Sequence, residues 1–301
     1  MDWMALTVFS EIADGSSLAK AAEKLRIPPM SATRRLSALE QDLGVRLVYR
    51  TTRALSLSPE GQAFLPHARR LLSEREAAYA SVRRDGEGAF GLLRVTASIA
   101  FGRKVVTPII VRFMEDNPAV RVDLLMTDSV IDIVGEGIDV AVRIANLADS
   151  GLMAKRLAAN PRLMLASPAY LQRHGTPKTL ADLQGHECLY LSGSTHWEFE
   201  TGNQQQRSKL SGRFSANSIE GLLQACVAGL GIANLSSWFV QEEIKRGELE
   251  SFTLEDAIPQ PLGIWAVYPS NRMLHPKVRL FVDTLAADLQ HSPVVTSLAS
   301  G

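Results

Sequence analysis

The feature that most constrains the fold of this chain is the segment at residues 16–40, SSLAKAAEKLRIPPMSATRRLSALE. Ser17 is suited to cap a helix, and Pro28 ends that helix because the residue before a proline is pushed out of the helical region. A further helix is expected from about Pro29 to Leu43, since proline is tolerated in a first helical turn. The segment therefore predicts two helices joined by a tight turn.

The second of these helices has an apolar face and a polar face. Its apolar residues recur at helical spacing between Ala32 and Leu43, which places Arg34 on the opposite side. Two helices joined in this way, the second with small polar residues and an arginine at its exposed N-terminal end, match a helix-turn-helix that binds in the major groove of DNA. A helical hairpin with a purely structural role is the alternative.

The distribution of charge favours a nucleic-acid partner. Residues 20–70 contain ten basic side chains and four acidic ones, although the whole chain has a formal net charge of zero. A local basic excess attracts phosphate groups, because each neutralised phosphate releases counterions. On its own, such an excess is also compatible with a solvated charged face.

The next segment, VRLVYRTTRALSLSPEG, predicts a short two-stranded hairpin, or wing, with a basic turn. Arg50 and Arg53 flank that turn. Both side chains are placed to reach the phosphate backbone, and Arg53 is also placed to reach the adjacent minor groove. An ordinary surface hairpin is the alternative.

A long helix is expected to begin after Ser58 and to end near Arg84. One stripe along it has the spacing of a two-stranded coiled-coil seam, interrupted by Arg75. The residues of this seam, which we assign to dimerisation, are Leu65, Ala68, Leu72, Tyr79 and Val82. Packing of this stripe against the chain's own DNA-binding domain is the alternative. A glycine-rich linker follows at residues 83–91.

From Leu92 onward, short apolar runs alternate with helical segments, which predicts α/β organisation on a mainly parallel sheet. Ligands of such sheets bind beyond the carboxyl ends of the strands. Two strands are expected to end in small polar groups, one at Ser98 and one at Thr127–Asp128. The helix N-terminus near Phe101 and Gly102 could then receive an anion, typically the carboxylate of a metabolite. Ordinary helix capping is the alternative.

The segments SLAKAAEKL, RRLSALEQDLGVRL, RTTR and LSLSPEG resemble the LysR-type transcriptional regulators, and the RTTR wing is similar to one large branch of that family. The resemblance implies a mainly α N-terminal winged helix-turn-helix, a linker helix, and an α/β, two-lobed effector domain like the periplasmic solute-binding proteins. The implied division is 1–58 for DNA binding, 59–90 for the linker helix and hinge, and 91–301 for the effector domain. Lobe I would comprise 91–161 and 267–290, and lobe II 162–266, with crossovers near Asn160–Pro161 and Val267–Tyr268.

The resemblance also nominates site residues. The DNA contacts expected from the helix-turn-helix and wing are Met30, Ser31, Thr33, Arg34, Arg35, Arg50 and Arg53. The effector contacts expected between the lobes are Ser98, Phe101, Gly102, Thr127, Asp128, Ile144 and Asn217. The implied partners are double-stranded DNA with a partly palindromic operator, a small-molecule effector for which an anion is a candidate, and a second copy of the chain in a homodimer or homotetramer. RNA polymerase is a further candidate.

Other classes of protein find little support in the sequence. No apolar run approaches the ~18 residues of a membrane helix, and the N-terminus lacks the pattern of a secretory signal, so a cytoplasmic protein is expected. Phosphate-loop, GxSxG and HExxH motifs are missing, which predicts no enzyme, no cofactor and no metal. Cys188 and Cys226 stand alone and are expected to be buried thiols, with a redox switch as the alternative. A carrier with a vestigial N-terminal module, or an enzyme on the same fold, are the competing hypotheses.

Overall fold

The computed structural model describes residues 2–14, 17–50, 55–82, 89–146, 153–202, 204–269 and 275–291. The tip of the predicted wing, with Arg53, and most of the predicted glycine-rich linker lie outside these residues. The N-terminal part is a small helical domain, the head, followed by a hairpin and a long helix. Its elements are α1 (Trp3–Ala13), α2 (Leu18–Lys24), α3 (Pro29–Leu43), β1 (Val48–Arg50), β2 (Leu55–Leu57) and α4 (Pro59–Val82).

The ends of the head helices follow from their sequence. Ser17 accepts a hydrogen bond from the Lys20 backbone N–H at 3.2 Å, as expected for an N-cap. Pro29 begins α3, and Gly44 ends it in the left-handed conformation with φ of 70°. Arg26, between α2 and α3, also adopts a positive φ, of 53°. The helix-turn-helix therefore turns at a non-glycine residue.

The head has its own apolar core. Helices α1, α2 and α3 contribute most of it, and strands β1 and β2 pair in antiparallel fashion beside it. Helix α4 completes the core: Ala68 is fully buried there, and Leu65 and Leu72 pack against it. The first half of the predicted dimer seam therefore packs, at least on one side, within the same chain, as the alternative interpretation of this stripe expected. Tyr79 is 58% exposed, and the side chain of Val82 lies outside the described residues.

The C-terminal part has two lobes, each built on a five-stranded sheet. In the first sheet the strand order is β4-β3-β5-β15-β6, formed by β3 (Gly91–Ala97), β4 (Val120–Met126), β5 (Val140–Ala145), β6 (Met153–Asn160) and β15 (Leu262–Tyr268). In the second sheet it is β11-β8-β12-β7-β13, formed by β7 (Arg162–Ala166), β8 (Cys188–Leu191), β11 (Ser215–Ala216), β12 (Ile232–Ser236) and β13 (Glu250–Phe252).

Both sheets are mixed, with four strands in one direction and one strand against them. In the first, β3 runs parallel to β4 and β5, whereas β15 runs antiparallel to β5 and β6. In the second, β8 runs parallel to β11 and β12, whereas β7 runs antiparallel to β12 and β13. The physical reason is that β7 and β15 each enter from the other lobe and therefore run against the local strand direction.

The first crossover lies where the sequence suggested, since β6 ends at Asn160 and β7 begins at Arg162. The second does not. Strand β15 pairs along its whole length with β5 and β6 of the first sheet, so the chain returns to lobe I before Leu262 and not near Val267–Tyr268. The preceding strand β14 (Ile258–Pro259) still pairs within lobe II, with β9 (His196–Thr201). Residues 262–266 thus belong to lobe I.

Helices cover the two sheets. Lobe I carries α5 (Ile99–Phe101), which continues through a π-helical turn at Gly102–Val106 into α6 (Thr107–Asp116), and α10 (Pro276–His291). Lobe II carries α7 (Pro168–His174), α8 (Ile219–Val227) and α9 (Gln241–Lys245), with β10 (Gln204–Lys209) extending a small antiparallel sheet. Among the described helices, none is both long and apolar enough to cross a membrane.

Candidate DNA-binding face and effector cavity

The exposed face of α3 carries the residues that the sequence assigned to DNA contact. Met30 is 80% exposed and Arg34 is exposed, whereas Ser31 and Thr33 are partly buried. On the opposite face Ala32 and Leu36, with Leu39, are buried in the head core. The helix is therefore held by one face, and its N-terminal half presents the other to solvent.

Arg35 differs from its neighbour Arg34. Its guanidinium forms an ion pair with Asp2, the N-cap residue of α1, and its side chain is 34% exposed. This pair ties α3 to the start of α1. Arg34 and Arg35 are thus adjacent in sequence, but only Arg34 is directed away from the body of the head.

The hairpin β1–β2 is present where the wing was predicted. Ser58 anchors its base: its hydroxyl donates to the Arg46 carbonyl oxygen at 2.6 Å and accepts from the Gly61 backbone N–H at 2.9 Å. Arg50 is the last residue of β1, and neither its side chain nor Arg53 is among the described side chains. The wing is therefore fixed at its base to the start of α4.

A cavity of about 720 Å³ lies between the two lobes. Most of its wall is aliphatic, and its polar groups come from both lobes. Five of the residues predicted to contact the effector line it, namely Ser98, Thr127, Asp128, Ile144 and Asn217. The structure brings these five together from four separate parts of the chain.

The other two predicted effector contacts, Phe101 and Gly102, are not in the cavity wall. Phe101 is fully buried and packs edge-to-face against Trp238 of lobe II, with ring centroids 5.0 Å apart. Gly102 is buried against Met126, where an added Cβ would approach the side chain within 2.8 Å. Both residues serve packing between elements, because they lie one turn into the helix and face the protein interior.

The N-terminus of that helix already has an anion. The backbone N–H of Ile99 donates to Asp128 Oδ1 at 3.0 Å. The carboxylate of Asp128 therefore occupies the position at which the sequence suggested that an effector anion could bind.

Two arginines that the sequence did not single out line the cavity, one from each lobe: Arg143 on β5 and Arg162 on β7. Burial lowers the pKa of both, for Arg162 to about 10, while the charge of Asp128 acts in the opposite direction on Arg143. Arg162 Nε donates to Asn234 Oδ1 at 3.1 Å, and its Nη2 donates to the Asn234 carbonyl oxygen. Within the described part of the chain, no carboxylate forms an ion pair with Arg162.

The crossover beside Arg162 is held by buried hydrogen bonds. Asn160 Nδ2 donates to Ser236 Oγ at 3.0 Å, and Trp238 Nε1 donates to Asn160 Oδ1 at 2.8 Å. Asn160 and Trp238 are buried, so these bonds are protected from water. Further contacts join the lobes: Lys104 Nζ donates to the Phe239 carbonyl oxygen at 3.1 Å, and Asn146 Nδ2 to Glu198 Oε2 at 3.3 Å.

Sequence reasoning missed Arg143, Arg162, Trp238 and the segment 129–134, all in the cavity wall. A signal existed for one of them: Arg162 directly follows the crossover at Asn160–Pro161, and a crossover between lobes must border the cleft. The segment after Asp128 has no such signal, because it contains no regular element.

The two thiols are buried, as expected. Burial raises the pKa of Cys188 to about 11 and that of Cys226 to about 12. No group of three or more histidine, cysteine, aspartate or glutamate side chains in the described ranges is placed to hold a metal ion.

Comparison with known proteins assigns the chain to a family. The family profile described as "Bacterial regulatory helix-turn-helix protein, lysR family" matches residues 3–62, and the one described as "LysR substrate binding domain" matches residues 86–290. The second match alone covers more than half of the chain. The chain therefore belongs to the LysR family of transcriptional regulators, as the sequence motifs indicated.

Individual relatives agree with this assignment. The HTH-type transcriptional regulator CrgA of Neisseria meningitidis serogroup C (strain 8013) is 34% identical over 286 residues, which cover 94% of this chain and 96% of CrgA. The HTH-type transcriptional regulator DmlR of Escherichia coli (strain K12) is 34% identical over 284 residues, which cover 93% of this chain and 92% of DmlR.

Two solved structures have the same architecture. The structure of CrgA from Neisseria meningitidis matches with a TM-score of 0.59 and 32% identity, over 96% of this chain and 99% of CrgA. The full-length structure of the Vibrio cholerae virulence activator AphB matches with a TM-score of 0.59 and 27% identity, over 95% of this chain and 99% of AphB. With relatives named as regulators, this chain is a DNA-binding transcriptional regulator with an effector-binding domain, and it is not an enzyme.

Proposed function

We propose that this regulator recognises a specific, partly palindromic operator through the N-terminal half of α3, and that a small organic anion bound between its lobes controls that recognition. One observation carries the first part. Helix α3 buries one face in the head core and presents Met30 and Arg34 on the other, as a helix inserted in a major groove must. Thr33 and Ser31 flank Arg34, and Arg50 and Arg53 of the wing are assigned to the phosphate backbone.

The effector is assigned to the cavity between the lobes. Ser98, Thr127, Asp128, Ile144 and Asn217, drawn from both lobes, line a space large enough for a metabolite. A ligand that touches both lobes has a different affinity for the open and closed arrangements, and it shifts the population toward the one it prefers. This shift would alter the angle between the heads of an oligomer and so their spacing on the operator.

The proposal includes self-association, because a symmetric oligomer would match a partly palindromic operator. Lobe I exposes apolar side chains on α6, Val111 and Met114, and on the edge strand β4, Leu125 and Met126. An exposed apolar group of this kind favours burial against a second copy. Tyr79 on α4 is a further candidate contact. We assign the chain to homodimers or homotetramers in the cytoplasm, with RNA polymerase as a candidate partner at the promoter.

The domain division follows the elements. We assign the head and wing, residues 1–58, to DNA binding, and residues 59–90 to the linker helix and hinge. Lobe II is assigned to residues 162 to about 259, and the rest of 91–301 to lobe I. The second boundary differs from the sequence expectation because β15 completes the first sheet.

Genomic footprinting of the wild type beside Arg34→Ala tests the proposal, with the region upstream of the chain's own gene as the first fragment. If Arg34 contacts base edges, its loss costs about 1–3 kcal/mol at the specific site and much less on random DNA. Arg246→Ala, at an exposed arginine that follows α9 in lobe II, is the matched control. Equal losses on operator and random DNA, or no protected site at any salt concentration, would refute sequence-specific regulation.

A further inference from the structure

A second, smaller cavity adjoins the interlobe cavity. It has a volume of about 270 Å³, against about 720 Å³ for the larger one. Four residues line both, namely Arg162, Leu191, Ile219 and Leu262. The two spaces are therefore neighbouring chambers of one site, and Arg162 lies where they meet.

The two chambers differ in chemistry. The wall of the larger chamber is dominated by aliphatic side chains, among them Val130, Ile131, Ile133, Val134, Ile144 and Val267. In the smaller chamber polar and charged side chains make up about half of the wall, among them Tyr190, Ser194, His196, Glu198, Asn234 and Gln260. A ligand that fills both finds an apolar wall in the larger chamber and hydrogen-bonding groups in the smaller one.

Of the two cavity arginines, Arg162 is the one whose charge is not countered. Arg143 faces Asp128, whose charge opposes the effect of burial on it, and its Nη2 donates to Thr96 Oγ1 at 3.3 Å. Arg162 has only the neutral Asn234 as a hydrogen-bond partner in the described part of the chain, through Nε and Nη2. A buried cation without a counterion is costly in free energy, and it is a strong binding site for an anion that supplies the missing charge.

Gln260 supplies a second polar group that a ligand could satisfy. Its Oε1 atom is buried and has no hydrogen-bond partner among the described residues, and the residue lines the smaller chamber. A buried acceptor of this kind costs free energy until a donor reaches it. A hydroxyl or N–H group on the polar end of a ligand would meet that requirement.

We propose that the effector is an amphiphilic organic acid with an apolar body in the larger chamber, a carboxylate at Arg162, and a hydrogen-bond donor beside the carboxylate that reaches Gln260. The proposal rests on the assignment of the effector to the interlobe site, and it specifies the class of molecule. It also assigns the anionic group of the effector to Arg162 on the first strand of lobe II. The sequence suggested the helix N-terminus instead, which the carboxylate of Asp128 occupies.

Calorimetry and thermal denaturation of the full chain with matched probes test this proposal. The probes are 3-phenylpropanoate, its 2-hydroxy derivative, 3-phenylpropanamide and 3-phenylpropylamine, and the corresponding octanoate series. The acids are expected to bind and to raise the melting temperature. The amides are expected to bind at least about tenfold more weakly than the acids, because a charge-assisted hydrogen bond is lost. The 2-hydroxy acids are expected to bind more tightly than the parent acids.

Variants assign these preferences to residues. Arg162→Gln should abolish the preference for acid over amide, Arg162→Lys should retain part of it, and Gln260→Leu should abolish only the preference for the 2-hydroxy acid. Arg246→Gln is the control and should change neither preference, because Arg246 and its ion-pair partners Glu243 and Glu248 line neither chamber. If Arg162→Gln does not fold, the ratio of acid affinity to amide affinity, compared between the wild type and Arg162→Lys, still tests whether the carboxylate binds at Arg162.

The proposal is overturned if amides or amines bind as tightly as the acids, if no acid binds at millimolar concentration, or if the acid preference survives in Arg162→Gln. Footprinting with the same probes separates this outcome from the proposed function. Acids that bind through Arg162 but leave operator protection unchanged would refute the effector role and keep the ligand class. Neutral probes that alter protection would refute the class and keep the role.

Discussion

The carboxylate of Asp14 lies 2.6 Å from Nη2 of Arg69. Asp14 is the C-cap residue of α1, and Arg69 is on α4, so the pair ties the helix-turn-helix to the long helix. The same carboxylate accepts from Arg94 Nη2 of β3 at 2.7 Å, and Arg69 Nη1 donates to the Glu136 carbonyl oxygen at 2.8 Å. One carboxylate thus links the head to lobe I, close to the segment that lines the effector cavity.

Removal of this charge should loosen the head from lobe I. In Asp14→Asn two arginines face each other without an anion between them, and both burial and Arg94 already lower the pKa of Arg69. We expect a stability loss of about 1–3 kcal/mol, since charged hydrogen-bond partners are left unmatched. Hydrogen exchange at Arg94 and along β3, compared with the exposed control Asp116→Asn, is the measurement. Unchanged exchange in Asp14→Asn would show that other contacts hold the head.

Arg35 should matter less than Arg34 for operator binding. Its guanidinium is engaged by Asp2, so Arg35→Ala should cost under about 1 kcal/mol of stability, as for other partly exposed ion pairs. Its effect on specific DNA affinity should be smaller than that of Arg34→Ala, measured in parallel titrations on one operator. Equal losses would mean that Arg35 leaves Asp2 when DNA binds, and Asp2→Ala would then strengthen binding.

Arg26 occupies a conformation that suits glycine. It lies at the C-terminal end of α2 with φ of 53°, and the backbone N–H of Ile27 donates back to the Ala22 carbonyl oxygen at 3.0 Å. Arg26→Gly should raise the free energy of unfolding by about 1 kcal/mol, because a left-handed conformation is unfavourable for a residue with Cβ. Ala19→Gly, at an exposed position inside α2, should lower it by about 1 kcal/mol. Urea denaturation of both variants measures the difference, and a loss of stability in Arg26→Gly would contradict the argument.

The two thiols should be inert in the native chain. Their pKa values are raised by burial to about 11 and about 12, so little thiolate forms near neutral pH, and thiolate is the reactive species. Labelling by a disulfide reagent at pH 8 should be slow until denaturant is added, and then count two thiols. Fast labelling of Cys226 in the native chain would revive a redox role.

The same shifts predict an alkaline weakening. A thiol whose folded pKa lies above its ordinary value of 9.0 contributes stability at lower pH and loses it as pH rises from about 9 toward the folded value, about 12 for Cys226. Denaturation midpoints of the wild type should therefore fall more steeply above pH 9 than those of Cys226→Ala. Parallel slopes for the two proteins would exclude this contribution.

The fold of the head could be predicted almost completely from the sequence, because short-range residue patterns determine its helices. Caps such as Ser17, the proline at Pro29 and the apolar spacing of α3 each depend on residues a few positions apart. The dimer seam stays a prediction. The same spacing that suits a coiled coil also suits packing on the chain's own core, and Ala68 follows the second course. Spacing alone does not distinguish the partner of an apolar stripe.

The effector domain required information that spacing does not contain. A crossover was expected near Val267–Tyr268, but the place of β15 in the first sheet depends on pairing with β5 and β6, more than a hundred positions earlier in the chain. In the sequence, Arg143 and Arg162 are indistinguishable from other arginines on strands, because their place in the cavity wall depends on the packing of the two lobes. Phe101 was close to the cavity in sequence, and helix geometry turned it inward against Trp238.

The position of β15 also sets an order of assembly. Lobe II is one continuous stretch of chain, so it can complete its sheet while later residues are still being synthesised. The first sheet has to wait for Leu262–Tyr268, which pairs between β5 and β6 and contributes a strand with buried Ile264 and Ala266. Until that strand leaves the ribosome, β5 has an unpaired edge and β6 has no partner strand, so the unfinished first sheet is open to pairing with other chains.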